Sequence, residues 1–152
     1  MKSLAIKLSI VLFLLLAACS PINATPAPAQ AATASPEDLQ AIRQSASDYI
    51  DGWYEGNPMR MENALHDSLV KRHINGYLVE NLSKELMVSY TRSGGGKSYQ
   101  GDKKNTITIL DVYGDIATVK TESPEFIDYL HMGKVDGKWV IINVLWTEKP
   151  VK

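Results

Sequence analysis

The chain holds a single cysteine, Cys19, in 152 residues. A lone thiol excludes an intramolecular disulfide framework. Histidines are scarce too. His66, His73 and His131 have no companions at metal-ligand spacing, so there is no zinc pattern, and no cofactor is called for. Neither charge dominates: the formal net charge is −1. Without a basic stripe, nucleic acid has little support as a partner. No repeat of solenoid length occurs. No serine stands in a Gly-x-Ser-x-Gly elbow. Ser93-Gly94-Gly95-Gly96-Lys97-Ser98 contains Gly-Lys-Ser, but the first glycine of a phosphate loop would fall at Thr91, and no helix pattern follows Ser98. Residues 93–105 read instead as a mobile loop that could serve as a lid.

Long apolar runs are also missing. Leu8 to Leu16 follows the basic Met1–Lys7 segment and is too short to span a bilayer, which takes roughly 20 apolar residues. This is the grammar of a secretory signal. Leu16-Ala17-Ala18-Cys19 looks like the lipobox of bacterial lipoproteins. That resemblance implies cleavage after residue 18, diacylation of the Cys19 sulfur and membrane contact through the lipid anchor only. Two or three acyl chains anchor stably, where one is marginal. The alternative is ordinary cleavage near Ala18 or beyond, leaving a free thiol. Ser20 points to the outer membrane, facing the periplasm, if the source is Gram-negative. Residues 19–35, rich in Pro, Ala and Thr, read as a disordered tether, leaving a domain at 36–149.

What remains is well patterned. Ser35-Pro36-Glu37-Asp38 starts a helix, with Ser as cap, Pro at the first position and acids in the first turn. Leu39, Ile42, Ala46, Tyr49, Ile50 and Trp53 fall on one face. Gly56-Asn57-Pro58 stops it, and Asn57 caps a second helix expected to end near His66-Asp67. Val70 to Val79 is ambiguous, a short strand or an irregular segment. Ser83 caps a third helix that ends by Thr91 or Arg92. Four strands follow. Thr106–Tyr113 and Ile116–Glu122 are joined by Gly114-Asp115. Phe126–Val135 and Lys138–Trp146 are joined by Asp136-Gly137, a strong type I′ hairpin signal. Helices followed by a strand meander give an α+β fold, with helices on one face of an antiparallel sheet.

A two-residue turn at Asp136-Gly137 pairs Lys134 with Trp139, Met132 with Ile141, Leu130 with Asn143 and Asp128 with Leu145. One face then carries Phe126, Asp128, Leu130, Met132, Trp139, Ile141, Asn143 and Leu145. The other carries Ile127, Tyr129, His131, Val135, Val140, Ile142, Val144 and Trp146. Both are largely apolar, whereas a half-exposed antiparallel sheet alternates with polar residues. Helices can cover one face. A cavity, a ligand or a second subunit is left for the other.

At this point the chain resembles the nuclear transport factor 2-like superfamily, and within it the small bacterial "putative lumazine-binding" group. The matching stretches are Tyr49–Asn57, Ala64-Leu65-His66, Ile109–Ala117, Phe126–Leu130 and Val135–Val144. The resemblance covers roughly residues 40 to 148. It implies a cone-shaped fold, a bent sheet wrapped around a long first helix, with a pocket at the wide end and a frequent homodimer through the outer sheet face. The superfamily includes isomerases, dehydratases and pure binding modules, so three readings stay open. The first is a non-catalytic domain binding a small apolar or aromatic ligand. Tyr49, Trp53 and Tyr54 could stack on such a ligand, or be core, and Tyr129, Asn143 and Trp146 are further lining candidates. The second is an isomerase- or dehydratase-type enzyme using Asp128 and His66. Asp128 sits mid-strand among apolar residues, where a charge must be paired or functional. His66 could act as acid or base, or merely complement a helix end. The third is an interaction domain.

Overall fold

The computed structural model describes residues 34–75 and 78–150. The leader, Cys19 and the tether up to residue 33 lie outside the described residues. The elements run α1 (Pro36–Glu55), α2 (Pro58–Ala64), β1 (Leu65–Asn75), β2 (Leu78–Leu82), α3 (Lys84–Arg92), β3 (Thr106–Tyr113), β4 (Ile116–Glu122), β5 (Phe126–Val135) and β6 (Lys138–Glu148). The fold is α+β, helices against a bent mixed sheet of order β2-β1-β6-β5-β4-β3.

Local chemistry sets the helix ends. The Ser35 side chain accepts from the Asp38 N–H, Asn57 from the N–H groups of Met59 and Arg60, and Ser83 from that of Leu86. Each satisfies amides that the first helical turn leaves unpaired. The core lies between α1 and the inner sheet face. Ile42, Ala46 and Ile50 of α1 join Leu130, Met132, Ile141 and Val144 in one buried cluster. Each large aliphatic side chain buried there contributes roughly 1.5–3 kcal/mol.

Four local expectations change. The ambiguous stretch at Val70 belongs to an eleven-residue strand, β1. The second helix stops at Ala64, short of His66, because Leu65 is already extended (φ −103°, ψ 134°) and pairs with Ile141. That β1–β6 pairing is parallel, while every other pairing among the described residues is antiparallel.

The fourth change is the register of the last hairpin. Asp136 and Gly137 adopt φ of 49° and 77°, as a type I′ turn requires. Lys134 pairs with Trp139 and Met132 with Ile141, as the turn dictates. His131 then pairs with Asn143, so Ile142 is an extra residue, a β-bulge. Since side chains alternate with period two, one extra residue swaps the faces of everything beyond it. Leu130 therefore faces Val144, and Asp128 faces Trp146. Val144 is buried with the core, while Leu145 turns outward, 43% exposed.

Candidate functional site: a cavity with a buried lysine–aspartate pair

A cavity of about 270 Å³ opens between α1, the β1–β2 pair, α3 and the inner ends of β5 and β6. Its walls are mostly apolar. Helix α1 supplies Tyr49, Ile50 and Trp53, and β2 supplies Leu82. Met87 and Tyr90 come from α3, Phe126 from β5 and Trp146 from β6. Three charged residues complete it: Lys71, Asp128 and, 68% exposed at its side chain, Glu80.

Lys71 and Asp128 are 6% and 1% exposed. Lys71 Nζ lies 2.6 Å from Asp128 Oδ1 and also donates to the Tyr49 hydroxyl oxygen at 2.6 Å. The Tyr49 hydroxyl donates in turn to Asp128 Oδ1 at 2.8 Å. Thr121 Oγ1 donates to Asp128 Oδ2 at 3.4 Å. The burial of two charges is offset here by pairing and hydrogen bonding, which such burial demands. Burial pulls the Lys71 ammonium below the ordinary lysine range, and the Asp128 carboxylate opposes that shift. Burial, then the charge of Asp128, pushes the Tyr49 hydroxyl well above the ordinary tyrosine range, so it stays protonated.

Trp146 is held from two sides. His73 stacks on it with centroids 4.0 Å apart, and Phe126 meets it edge-on at 5.2 Å. Its ring centroid lies 4.5 Å from Lys71 Nζ, a cation–π contact. On the other wall, Gly95 and Gly96 lie across the Trp53 indole so closely that a Cβ on Gly95 would stand 2.5 Å from Trp53 Cη2. The Gly-Lys-Ser stretch is thus a packing saddle for Trp53. The Nε1 atoms of Trp53 and Trp146 are both buried without a hydrogen-bond partner.

The structure brings together Tyr49, Trp53, Asp128 and Trp146 of the residues expected from sequence. Tyr54 is core: its hydroxyl bonds Ser123 and Glu125, and its ring packs edge-on against Tyr99. Tyr129 and Asn143 stand on the outer face, away from the cavity. Tyr129 alternates with the inward Asp128 and is 45% exposed, while the bulge turns Asn143 out to His131 and Arg72. His66 does not join Asp128, because it is the second residue of β1, outside the cavity lining, and its Nδ1 accepts from the Ser68 N–H. Lys71 and Glu80 were not anticipated. Lys71 carries no pattern signal: it shares a period-two face with Leu69 and His73, all three buried, but two of those three residues are polar. Among the described residues no cluster suited to a metal ion occurs.

A family model described as "putative lumazine-binding" matches residues 37–147. Solved structures are similar in fold. An NTF2-like protein of unknown function from Methylobacillus flagellatus KT is 22% identical with a TM-score of 0.66, covering 79% of this chain and 98% of its own. One from Shewanella baltica OS155 is 16% identical with a TM-score of 0.65, covering 78% and 99%. A ketosteroid isomerase-like protein from Erwinia carotovora atroseptica SCRI1043 is 14% identical with a TM-score of 0.60, covering 77% and 100%. At these identities the likeness concerns the fold. No curated protein matches the chain in sequence.

Proposed function

Since the chain belongs to the "putative lumazine-binding" family of nuclear transport factor 2-like proteins, we propose that it is a lipid-anchored, non-catalytic small-molecule receptor of the cell envelope. The lipobox at Cys19 supports the anchor, and the tether from residue 19 to 35 would hold the domain off the bilayer. The ligand lies in the cavity beside Lys71 and Asp128. One observation carries this reading: an apolar, aromatic-walled cavity whose deeply buried charges, Lys71 and Asp128, already neutralise each other, with Trp146 in its wall, whose buried indole N–H has no acceptor. Binding sites of this kind are mostly apolar with a few convergent polar groups. An unmet buried donor costs about 1–3 kcal/mol. The fitting ligand is therefore a small, flat, uncharged molecule with an acceptor oxygen or nitrogen. Against an enzyme built on Asp128 and His66 stands the placement of His66 outside the cavity. The exposed Ile116, Tyr129, Ile142 and Leu145 support a homodimer through the outer sheet face.

Native mass spectrometry on protein purified from its own envelope fraction tests the proposal. The expected result is one small molecule per subunit, released by Trp146→Ala. An empty protein whose tryptophan fluorescence ignores small aromatic compounds would sink it. Radiolabelled fatty acid incorporation, abolished in Cys19→Ser, is the expected signature of the anchor.

A further inference from the structure

We propose that Lys71 is the reactive amine of the cavity and captures a small aldehyde or ketone ligand as an imine. This rests on the cavity being a ligand site. A purely structural charge pair is often replaceable by apolar side chains of similar volume, with no loss of stability. An arginine would pair a carboxylate more strongly, through two parallel bonds. What lysine alone offers is an amine that can lose its proton, and a dry pocket favours that loss. Two positions on Nζ are taken, by Tyr49 and Asp128. The tetrahedral nitrogen keeps a further position, and Lys71 lines the cavity.

The neighbours supply the proton path. Nζ–H donates to the Tyr49 oxygen, and the Tyr49 O–H donates to Asp128 Oδ1, so a proton can pass from nitrogen to carboxylate directly or through the hydroxyl. The freed amine attacks the carbonyl carbon. The C–N bond forms as the C=O π pair moves to oxygen, which takes the proton from Asp128, and the nitrogen, now cationic, passes its second proton back to Asp128 along the same relay. The carbinolamine then expels its hydroxyl as water, taking the proton left on Asp128, while the nitrogen lone pair forms C=N. The sum is ammonium plus carbonyl giving iminium plus water. The positive charge stays beside Asp128, and no oxidant or reductant is consumed. The Trp146 ring, 4.5 Å from Nζ, shields the adduct from water.

Benzaldehyde with sodium cyanoborohydride at neutral pH is the test, with adduct sites mapped on peptides of the purified protein. Lys71 is expected to carry the reduced benzyl adduct at least about tenfold faster than the exposed Lys104 and Lys138. Lys71→Arg, which keeps the charge beside Asp128, removes that adduct and leaves the surface labelling. Benzyl alcohol, which cannot form an imine, is the parallel probe, read by tryptophan fluorescence. If the alcohol binds and the aldehyde labels only exposed lysines, the imine is overturned and the binding site stands. If neither compound enters, the binding site falls and the imine with it. Should Lys71→Arg fail to fold, the site map on the unmodified sequence decides alone.

Discussion

Asp128 is buried in an ion pair with Lys71, and the coupling between the two can be measured. Asp128→Asn leaves the Lys71 ammonium buried without a counter-ion and is expected to cost about 3–5 kcal/mol in urea unfolding. The double change Lys71→Met, Asp128→Leu should recover most of that loss, because it removes both charges together. A double variant no better than Asp128→Asn would show that Lys71 and Asp128 are not coupled. Half of this pair was legible from sequence. An aspartate between Phe126 and Leu130 has to find a partner. The partner was not legible, because Lys71-Arg72-His73 interrupts any apolar alternation in its strand. The inward side chain at that position is a charged one, and hydrophobic patterning cannot see it.

At the scale of elements, the glycine saddle on Trp53 has the sharpest consequence. A Cβ on Gly96 would overlap the Trp53 atoms Cδ1 and Nε1. Gly96→Ala should displace the indole, cost about 1–3 kcal/mol in thermal unfolding and shift the tryptophan emission. An unchanged emission spectrum would mean that the 93–98 segment does not set the Trp53 wall. From sequence this segment reads as a mobile loop, since glycines carry no pattern to show what they pack against. Helix caps are different. Ser35, Asn57 and Ser83 act on their own next few residues, and all three caps form as the sequence predicts. The Ile142 bulge sits between these extremes. Asp136-Gly137 fixes the register only as far as Met132 and Ile141. No glycine or proline stands in β6 itself, and the glycine that Ile142 packs against, Gly133, lies on β5. The exchange of Asn143 for Val144 on the inner face therefore appears only once β1 and β4 are packed beside the hairpin.

At the scale of the whole molecule, the outer sheet face remains apolar. Ile116 is 63% exposed, and Tyr129, Ile142 and Leu145 are exposed on the same face, with Thr118, His131 and Asn143 between them. These are the side chains that the proposed homodimer would cover. Should the proposed homodimer form through this face, Leu145→Asp is expected to convert it to a monomer in sedimentation velocity, with the fold of the cavity unchanged. A protein that sediments as a monomer before the change would exclude that face as a self-association surface.

The parallel ladder between β1 and β6 bears on how the chain comes together in time. Residue 65 has to find residue 141, and residue 73 has to find residue 146. Closing so long a loop is entropically costly, and contacts so distant in sequence slow folding. β1 and β2 have no other place in the sheet, because β1 borders only β2 and β6. A chain emerging from its N-terminus onward can cap its helices and form the β3–β4 hairpin early. The cavity, whose lysine comes from β1 and whose aspartate and Trp146 come from the last two strands, is assembled last. Truncation within β6 would therefore abolish the site outright, with the helices still able to form.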